Sequence, residues 1–294
     1  MNLLSNDYKY ALLAVFLWST VATAFKISLQ SLAPYELLFY SSLVSTILFL
    51  SVIIKNRQLK VLFEFINNNK KNVLISSLLN PFLYYLMLFK AYDLLPAQEA
   101  QAINYTWALV LAYFSAIFLK HSLTLKDIIA GIMCYFGVLI ISTKGNVLGL
   151  EFSNLEGLMY AIISTILWAT YWIINTKNKF DPIISLCSYF LVSLPFISIY
   201  ILLFHSFSIP SIEGILGATY VGLFEMGITF LLWLKALQLT PKVGRIANLI
   251  FISPFISLIF IHFIVGEEIF ISTVIGLITI ILGLILQQLK KSPF

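Results

Sequence analysis

The sequence predicts an all-α membrane protein with ten transmembrane helices in two inverted five-helix repeats. Three observations support this fold class: the composition, the length of the apolar runs, and an echo between the two halves of the chain. Of the 294 residues, 60% are hydrophobic and only 11% are charged, whereas a soluble domain has about 25% charged residues. Together with a mean hydropathy of +0.96, this composition excludes a water-soluble globule.

The apolar runs have the length of membrane-spanning helices. Roughly 20 helical residues cross a hydrocarbon core of about 30 Å, and the runs are too long for barrel strands. Pro34, Pro96, Pro182 and Pro241 fall at the first turn of a predicted helix, where the missing N–H costs nothing. The ten predicted spans are 8–29, 34–54, 73–93, 96–118, 126–143, 155–175, 182–204, 213–235, 241–264 and 271–289.

The basic residues predict the orientation of these spans. With ten spans, all but three of the 18 Lys and Arg residues fall on the side of the N-terminus, and the exceptions are Lys26, Lys90 and Lys144. Because cytoplasmic loops are enriched in Lys and Arg, we expect both termini in the cytoplasm and the protein in an inner or plasma membrane. The net charge of +5 is therefore not a sign of nucleic-acid binding.

The two halves of the chain share spaced motifs. The pattern Leu-x3-Lys-Ala-x2-Leu-x-Pro-x5-Ala begins at Leu86 and again at Leu231, and Leu-Trp-x-Thr begins at Leu17 and again at Leu167. These matches predict one repeat over residues 1–145 and a second over 146–294. Five spans per repeat is an odd number, so the repeats must be inverted, as in many secondary transporters. A duplicated membrane scaffold without transport is the alternative.

These motifs resemble those of the drug/metabolite transporter (DMT) superfamily, specifically its EamA-type members. The resemblance covers nearly the whole chain and includes the Leu-Trp-x-Thr motifs, the Lys-Ala…Pro boundaries and Gly266-Glu267 after span 9. The first repeat has His121-Ser122 in place of that Gly-Glu pair. The resemblance implies a central cavity lined by spans 1, 3, 4, 6, 8 and 9, and export of amino acids or similar small metabolites.

Two aromatic segments resemble the YddG-type aromatic amino acid exporters of this superfamily. They are Asn104-Tyr105-x-Trp107 in span 4 and Trp168-Ala169-x-Tyr171 in span 6. Those exporters usually have a proline after the span-4 tryptophan, where this chain has Ala108. One membrane scaffold hosts many substrates, so the substrate does not follow from the superfamily.

Glu225 is the most deeply placed ionisable residue, near the middle of span 8. Its counterpart at an offset of 145 is Asn80 in span 3, so both repeats have a polar group at an equivalent depth. Ionisable residues inside the membrane are costly and are usually functional, which makes Glu225 the candidate for proton coupling or for binding a substrate amine. The alternative is a structural role, either as a partner of a donor such as Arg245 or as a protonated Glu hydrogen-bonded between helices.

Aromatic and polar side chains on the same spans complete the predicted cavity lining. Tyr and Trp combine an apolar face with one hydrogen-bonding tip, although ordinary helix packing would also use them. The strongest candidates for substrate contact are Asn104, Tyr105 and Trp107. Glu99 is predicted to lie near a span end. The cavity candidates are Glu225, Asn80, Trp18, Tyr84, Asn104, Tyr105, Trp107, Trp168, Tyr171, Asn248 and Arg245.

The sequence has no phosphate loop, no metal-spaced His/Cys/Glu set and no nucleophile motif, so we expect no enzyme activity, cofactor or metal. The expected partners are a small-molecule substrate, the lipid bilayer and protons as a coupling ion; we expect no nucleic acid, and a monomer or homodimer. The leading hypothesis is a secondary active or facilitative exporter working by alternating access. One alternative is an uptake carrier for a nucleoside, cofactor precursor or organic cation. Another is a non-transporting scramblase, receptor or assembly factor.

Overall fold

A computed structural model describes residues 6–119, 125–149, 151–176, 180–240 and 248–288 of the chain. Throughout these ranges the regular structure is helical and no strand is present. The prediction of an all-α protein is confirmed.

Fourteen α-helices lie within the described ranges. In chain order they are α1 (Asn6–Ser28), α2 (Pro34–Lys55), α3 (Leu59–Asn68), α4 (Lys70–Ser77), α5 (Tyr84–Leu94), α6 (Ala97–Asn104), α7 (Trp107–Leu119), α8 (Leu125–Ser142), α9 (Leu155–Thr176), α10 (Pro182–Phe204), α11 (Ile212–Tyr220), α12 (Ile228–Leu239), α13 (Ser253–Phe260) and α14 (Ile271–Gln288). Shorter π-helical turns cover Leu78–Leu83, Val221–Glu225 and Ile261–Val265, and a 3-10 helix covers Asn248–Ile252.

The described helical segments coincide in position with the predicted membrane spans, and the number of ten spans stays a prediction. In the described part of the chain, eight segments are long and apolar enough to cross a membrane, and Leu249–Val265 and Ile271–Leu286 are shorter apolar helices. Large apolar side chains point outward from them; Phe204, for example, is 70% exposed. Such surfaces suit lipid, and the chain is a multi-pass membrane protein. Residues 241–247, where the ninth predicted span begins, lie outside the described residues.

Four of the predicted spans are interrupted rather than continuous. The third breaks between α4 and α5, and the eighth breaks between α11 and α12. The fourth breaks at Tyr105–Thr106, and the ninth contains the 3-10 helix Asn248–Ile252. Spans 3 and 8 are repeat partners, as are spans 4 and 9, so the interruptions recur in both halves.

The segment between spans 2 and 3 forms a helix that the hydropathy did not predict. Helix α3 buries Leu62 and exposes Phe63, while Lys60 and Glu64 form an exposed ion pair at 3.8 Å. A helix with one apolar face and one charged face is typical of the membrane–water interface.

The described residues form two compact units, and each draws on both halves of the sequence. The first unit ends at Phe82 and resumes from Phe180 to Gly266; the second runs from Leu83 onward and resumes at Glu267. In the first unit α1 packs against α12 and α13, and α2 packs against α10. In the second unit α9 packs against α5 and α7, and α8 packs against α14.

The contacts of the two units correspond. Span 1 packs against spans 8 and 9, and its repeat partner, span 6, packs against spans 3 and 4, as a two-repeat architecture requires. Since helices of one repeat pack on helices of the other, the compact units do not coincide with the repeats. The predicted boundary near residue 145 stays a prediction.

Glycines set the distance between α8 and α14 in the second unit. A Cβ on Gly137 would lie 2.6 Å from the carbonyl oxygen of Gly276, and a Cβ on Gly276 would lie equally close to the carbonyl of Gly137. Small residues of this kind allow membrane helices to approach closely. Spans 5 and 10 are therefore held together by backbone contact.

Candidate functional site

The interruption of span 3 places a polar side chain inside the protein. Asn80 has extended backbone angles (φ −142°, ψ 120°) within the π-helical turn, because the residue before a proline is pushed out of the helical region. Its side chain is only 2% exposed, and its Oδ1 atom has no hydrogen-bond partner within the described part of the chain. Buried polar atoms normally have a partner, so this oxygen is an available acceptor.

The interruption of span 8 places Glu225 at the end of a π-helical turn, where it is half-buried. The hydroxyl of Ser45 donates to the Gly222 carbonyl at 2.7 Å, and the hydroxyl of Thr229 donates to the Phe224 carbonyl. These side chains satisfy carbonyl groups at the break, as lipid-embedded backbone requires. Glu225 and Asn80 thus both lie at helix breaks, and the sequence alone indicated only their shared depth.

Five aromatic side chains of the second unit form what we call the aromatic cluster: Tyr84, Trp107, Trp168, Tyr171 and Trp172. Trp168 is its centre and stacks on Tyr84 at 4.5 Å between ring centroids and on Tyr171 at 5.4 Å. Trp107 and Trp172 meet its ring edge-on at 6.4 and 5.9 Å and stack on each other at 6.5 Å. Four of the five were predicted cavity residues, and the structure brings them together.

Asn104 provides hydrogen bonding beside the aromatic cluster. Its Nδ2 atom donates to the Ser164 hydroxyl at 3.3 Å and lies 3.5 Å from the Tyr84 hydroxyl. Asn104 is the last residue of α6, next to the interruption at Tyr105–Thr106. Ser164 was not predicted, although it lies one helical turn before Trp168 on α9, a spacing that places both on one face.

Trp18 lies in the first unit, whereas the aromatic cluster belongs to the second. Its ring packs against Phe230 at 5.6 Å and Trp233 at 5.4 Å, both on α12. Nearby, the hydroxyls of Thr20 and Tyr220 form a hydrogen bond of 2.6 Å. Trp18 therefore has aromatic neighbours of its own within the first unit.

The remaining predicted residues have little or no described surroundings. Tyr105 is half-buried at the interruption of span 4. Asn248 begins the 3-10 helix Asn248–Ile252, but its side chain is not among those described. Arg245 lies outside the described residues.

Gly266 and Glu267 have separate structural roles. Gly266 has a positive φ of 81° and ends the helical segment before it, which favours glycine. Glu267 caps another helix: its Oε1 accepts from the Ala97 N–H at 2.7 Å and its Oε2 from the Gln98 N–H at 3.3 Å. A carboxylate at these free N–H groups stabilises α6.

Comparisons with known proteins agree with this architecture. The model of the EamA-like transporter family matches residues 8–143 and 155–287. An uncharacterized transporter of Clostridium kluyveri is 25% identical over 97% of this chain and 93% of its own length. The uncharacterized transporter YvbV of Bacillus subtilis is 25% identical over 74% of this chain and 72% of its own.

A solved crystal structure shares the fold, with a TM-score of 0.69 and 19% identity over 97% of this chain and 98% of its own. The two segments matched by the family model cover most of the chain, one segment in each half. The resemblance stated from the motifs is thus confirmed, and the chain belongs to the EamA-like transporter family of the DMT superfamily.

Proposed function

We propose that this transporter exports small planar amphipathic metabolites, with aromatic amino acids as the leading substrate class, by alternating access. The observation that supports this most is the aromatic cluster, with the Asn104 amide beside it. Aromatic pairs in stacked or edge-on geometry contribute about 0.5–1.5 kcal/mol each beyond buried area. A planar ring entering among these side chains would gain several such contacts.

The polar groups suit the other end of such a substrate. Asn104, Ser164 and the Tyr84 hydroxyl offer both donors and acceptors, and an aromatic face also attracts a cation such as an ammonium group. Binding sites of this kind combine a mostly apolar lining with a few placed polar groups.

The interrupted helices support a transport mechanism. Secondary transporters with inverted repeats place substrate and coupling ions at discontinuous helices near the bilayer midplane. Glu225 remains the proposed proton-coupling residue and Asn80 its counterpart. If Glu225→Gln inserts normally and leaves flux and its pH dependence unchanged, that role is wrong.

The proposed membrane orientation follows from the distribution of Lys and Arg in the sequence. Both termini would face the cytoplasm of an inner or plasma membrane, and the protein would act as a monomer or homodimer. Protease accessibility of terminal tags in oriented vesicles tests this orientation.

Counterflow in proteoliposomes tests the function directly. Vesicles loaded with unlabelled tryptophan or phenylalanine should accumulate the labelled amino acid, whereas leucine, a nucleoside and an organic cation should compete weakly. Trp168→Ala should strongly reduce this exchange. Phe118→Ala is the matched control, because Phe118 is an exposed aromatic residue on the same helix as Trp107.

Two results would contradict the proposal. If nucleosides or organic cations show saturable exchange in preference to aromatic amino acids, they would replace aromatic amino acids as the substrate class. The absence of saturable exchange and of any ligand-induced thermal shift across these compounds would favour a non-transporting role.

A further inference from the structure

Glu99 is a buried acid in the second unit that the proposed function does not use. It lies on α6, and only 3% of it is exposed. Its Oε2 atom accepts a hydrogen bond of 2.5 Å from the hydroxyl of Ser153, a residue that is itself exposed. Its Oε1 atom has no hydrogen-bond partner in the described structure. One oxygen is therefore connected towards the surface and the other is enclosed without a partner.

A second enclosed polar atom lies beside this carboxyl group. Ser142, the last residue of α8, is fully buried, and its hydroxyl also lacks a hydrogen-bond partner within the described ranges. The Ser142 hydroxyl is close enough to interact with the Glu99 side chain. Buried polar atoms without a partner are unusual, and a hydrogen bond between the Glu99 carboxyl group and the Ser142 hydroxyl would satisfy both.

The surrounding charges do not neutralise Glu99. In the described residues, no basic nitrogen lies within 4 Å of its carboxylate. Lys144, beyond the end of α8, is within electrostatic range but lies over the Phe270 ring at 5.5 Å. Glu267, before α14, is also within range and has the same sign as an ionised Glu99.

The other helices packed against α6 do not supply a counter-ion. On α5, Lys90 lies over the ring of Tyr160 of α9 at 5.2 Å. Asp93 on α5 and Glu156 on α9 are exposed. An ionised carboxylate buried without a paired cation is costly, so these surroundings favour a neutral Glu99.

We propose that Glu99 is a proton-binding site, neutral while this end of the second unit is closed. A proton on Oε1 turns that oxygen into a donor, and the Ser142 oxygen can accept from it. The neutral acid is then hydrogen-bonded at both oxygens, because Ser153 continues to donate to Oε2.

Release of the proton requires water at the Glu99 carboxyl group. When this end opens at the exposed Ser153, water reaches the carboxyl group, the Oε1–H bond breaks and the proton passes to water. The carboxylate left behind is hydrated and attracted by Lys144. A ligand shifts an equilibrium towards the state that binds it better. The proton acts as such a ligand and is bound better by the closed form, so its loss favours the open form.

Helix α6 joins this site to the aromatic cluster. Glu99 lies near its start and Asn104 ends it, and α6 has only eight residues. A displacement of the Glu99 end would therefore move Asn104. The coupling of protons to substrate movement, unlike the proton site itself, depends on the proposed transport function.

Infrared difference spectroscopy of the purified protein tests the site without any transport assay. At neutral pH the wild type should show the carbonyl stretch of a protonated buried carboxyl group, and Glu99→Gln should lose that band. Ser142→Ala should retain the band at a higher frequency, because the acid loses its acceptor. Glu156→Gln, which changes an exposed acid on α9, is the matched control and should leave the band in place.

Identical spectra for wild type and Glu99→Gln would overturn the proposal, and so would a band that Ser142→Ala does not shift. If the band behaves as expected, counterflow adds an independent measurement: Glu99→Gln should flatten the dependence of exchange on pH. Absence of exchange in every variant, with the band present in the wild type, would reject the transport function and leave the proton site standing.

Discussion

Trp18 in the first unit and Trp168 in the second occupy equivalent positions in the Leu-Trp-x-Thr motif, but their neighbours differ. Trp18 packs against Phe230 and Trp233, which give it an apolar and aromatic surround. Trp168 is surrounded by tyrosines and tryptophans and lies in the same cluster as the hydrogen-bonded Tyr84. Within its own unit, Trp18 thus contacts the rings of α12, whereas Trp168 lies in a cluster that includes hydrogen-bonding groups.

The largest expected effect separates these two tryptophans. Trp168→Ala removes stacked contacts with Tyr84 and Tyr171, and loss of two or more ring contacts should weaken ligand binding by about 2 kcal/mol, or roughly thirty-fold. Trp18→Ala should change the affinity less than about three-fold, on the same scale. Quenching of intrinsic fluorescence or a ligand-induced thermal shift measures both. Equal losses in the two variants would show that Trp18 contacts the ligand too.

Helix capping offers a second comparison. In the first unit Ser211 caps α11 locally, accepting from the Gly214 N–H at 3.1 Å, whereas in the second unit α6 depends on the distant Glu267. Loss of a cap costs about 1 kcal/mol, so Ser211→Ala and Glu267→Ala should each lower the melting temperature by a few degrees. Glu267→Ala should also alter substrate exchange, because α6 ends at Asn104.

Glu268→Ala is the control for this measurement, since its exposed side chain does not cap α6 and only its backbone carbonyl accepts from Gln98. Exchange that is unchanged in Glu267→Ala despite a lower melting temperature would limit Glu267 to a structural role.

The sequence predicted the helical class, the spans and most of the aromatic cluster, because apolar runs and motif spacing are local signals. It did not predict which helices pack together. Trp18 and Trp168 looked alike because the repeat motif is the same, and their different neighbours depend on contacts between distant segments: α1 with α12 and α9 with α5. Such pairing is a property of the folded chain.

The interruptions and the burial of Glu99 were missed for different reasons. Local signals for a helix break are present in both spans: Pro81 after Asn80, and the two glycines that flank Glu225, Gly222 and Gly227. The mean hydropathy of a whole span does not reveal them. Glu99 was placed near a span end by sequence position. Its burial depends on packing of α6 within the second unit, where Ser153 comes from a loop more than fifty residues later.

A third prediction concerns the polar groups beside the two tryptophans. Ser164→Ala removes the hydroxyl that accepts from Asn104, and the loss of one hydrogen bond of this kind costs about 1 kcal/mol. Ligand affinity should therefore fall roughly five-fold, and exchange should slow with an unchanged maximal rate. A melting temperature that falls while affinity stays the same would make Ser164 a packing residue.

The smallest effect on function is expected from Thr20 and Tyr220 in the first unit, whose hydroxyls share a hydrogen bond of 2.6 Å. Thr20→Val and Tyr220→Phe each break that bond while keeping the side-chain shape, so each should reduce stability by about 0.5–1.5 kcal/mol. Thr20→Val also removes the bond from the Thr20 hydroxyl to the Leu17 carbonyl, so the double variant should cost little more than Thr20→Val alone. Ligand affinity should remain at the wild-type value in all three. A loss of affinity in Tyr220→Phe with unchanged stability would show that the first unit also supplies a polar contact to the substrate, and would remove the distinction drawn between Trp18 and Trp168.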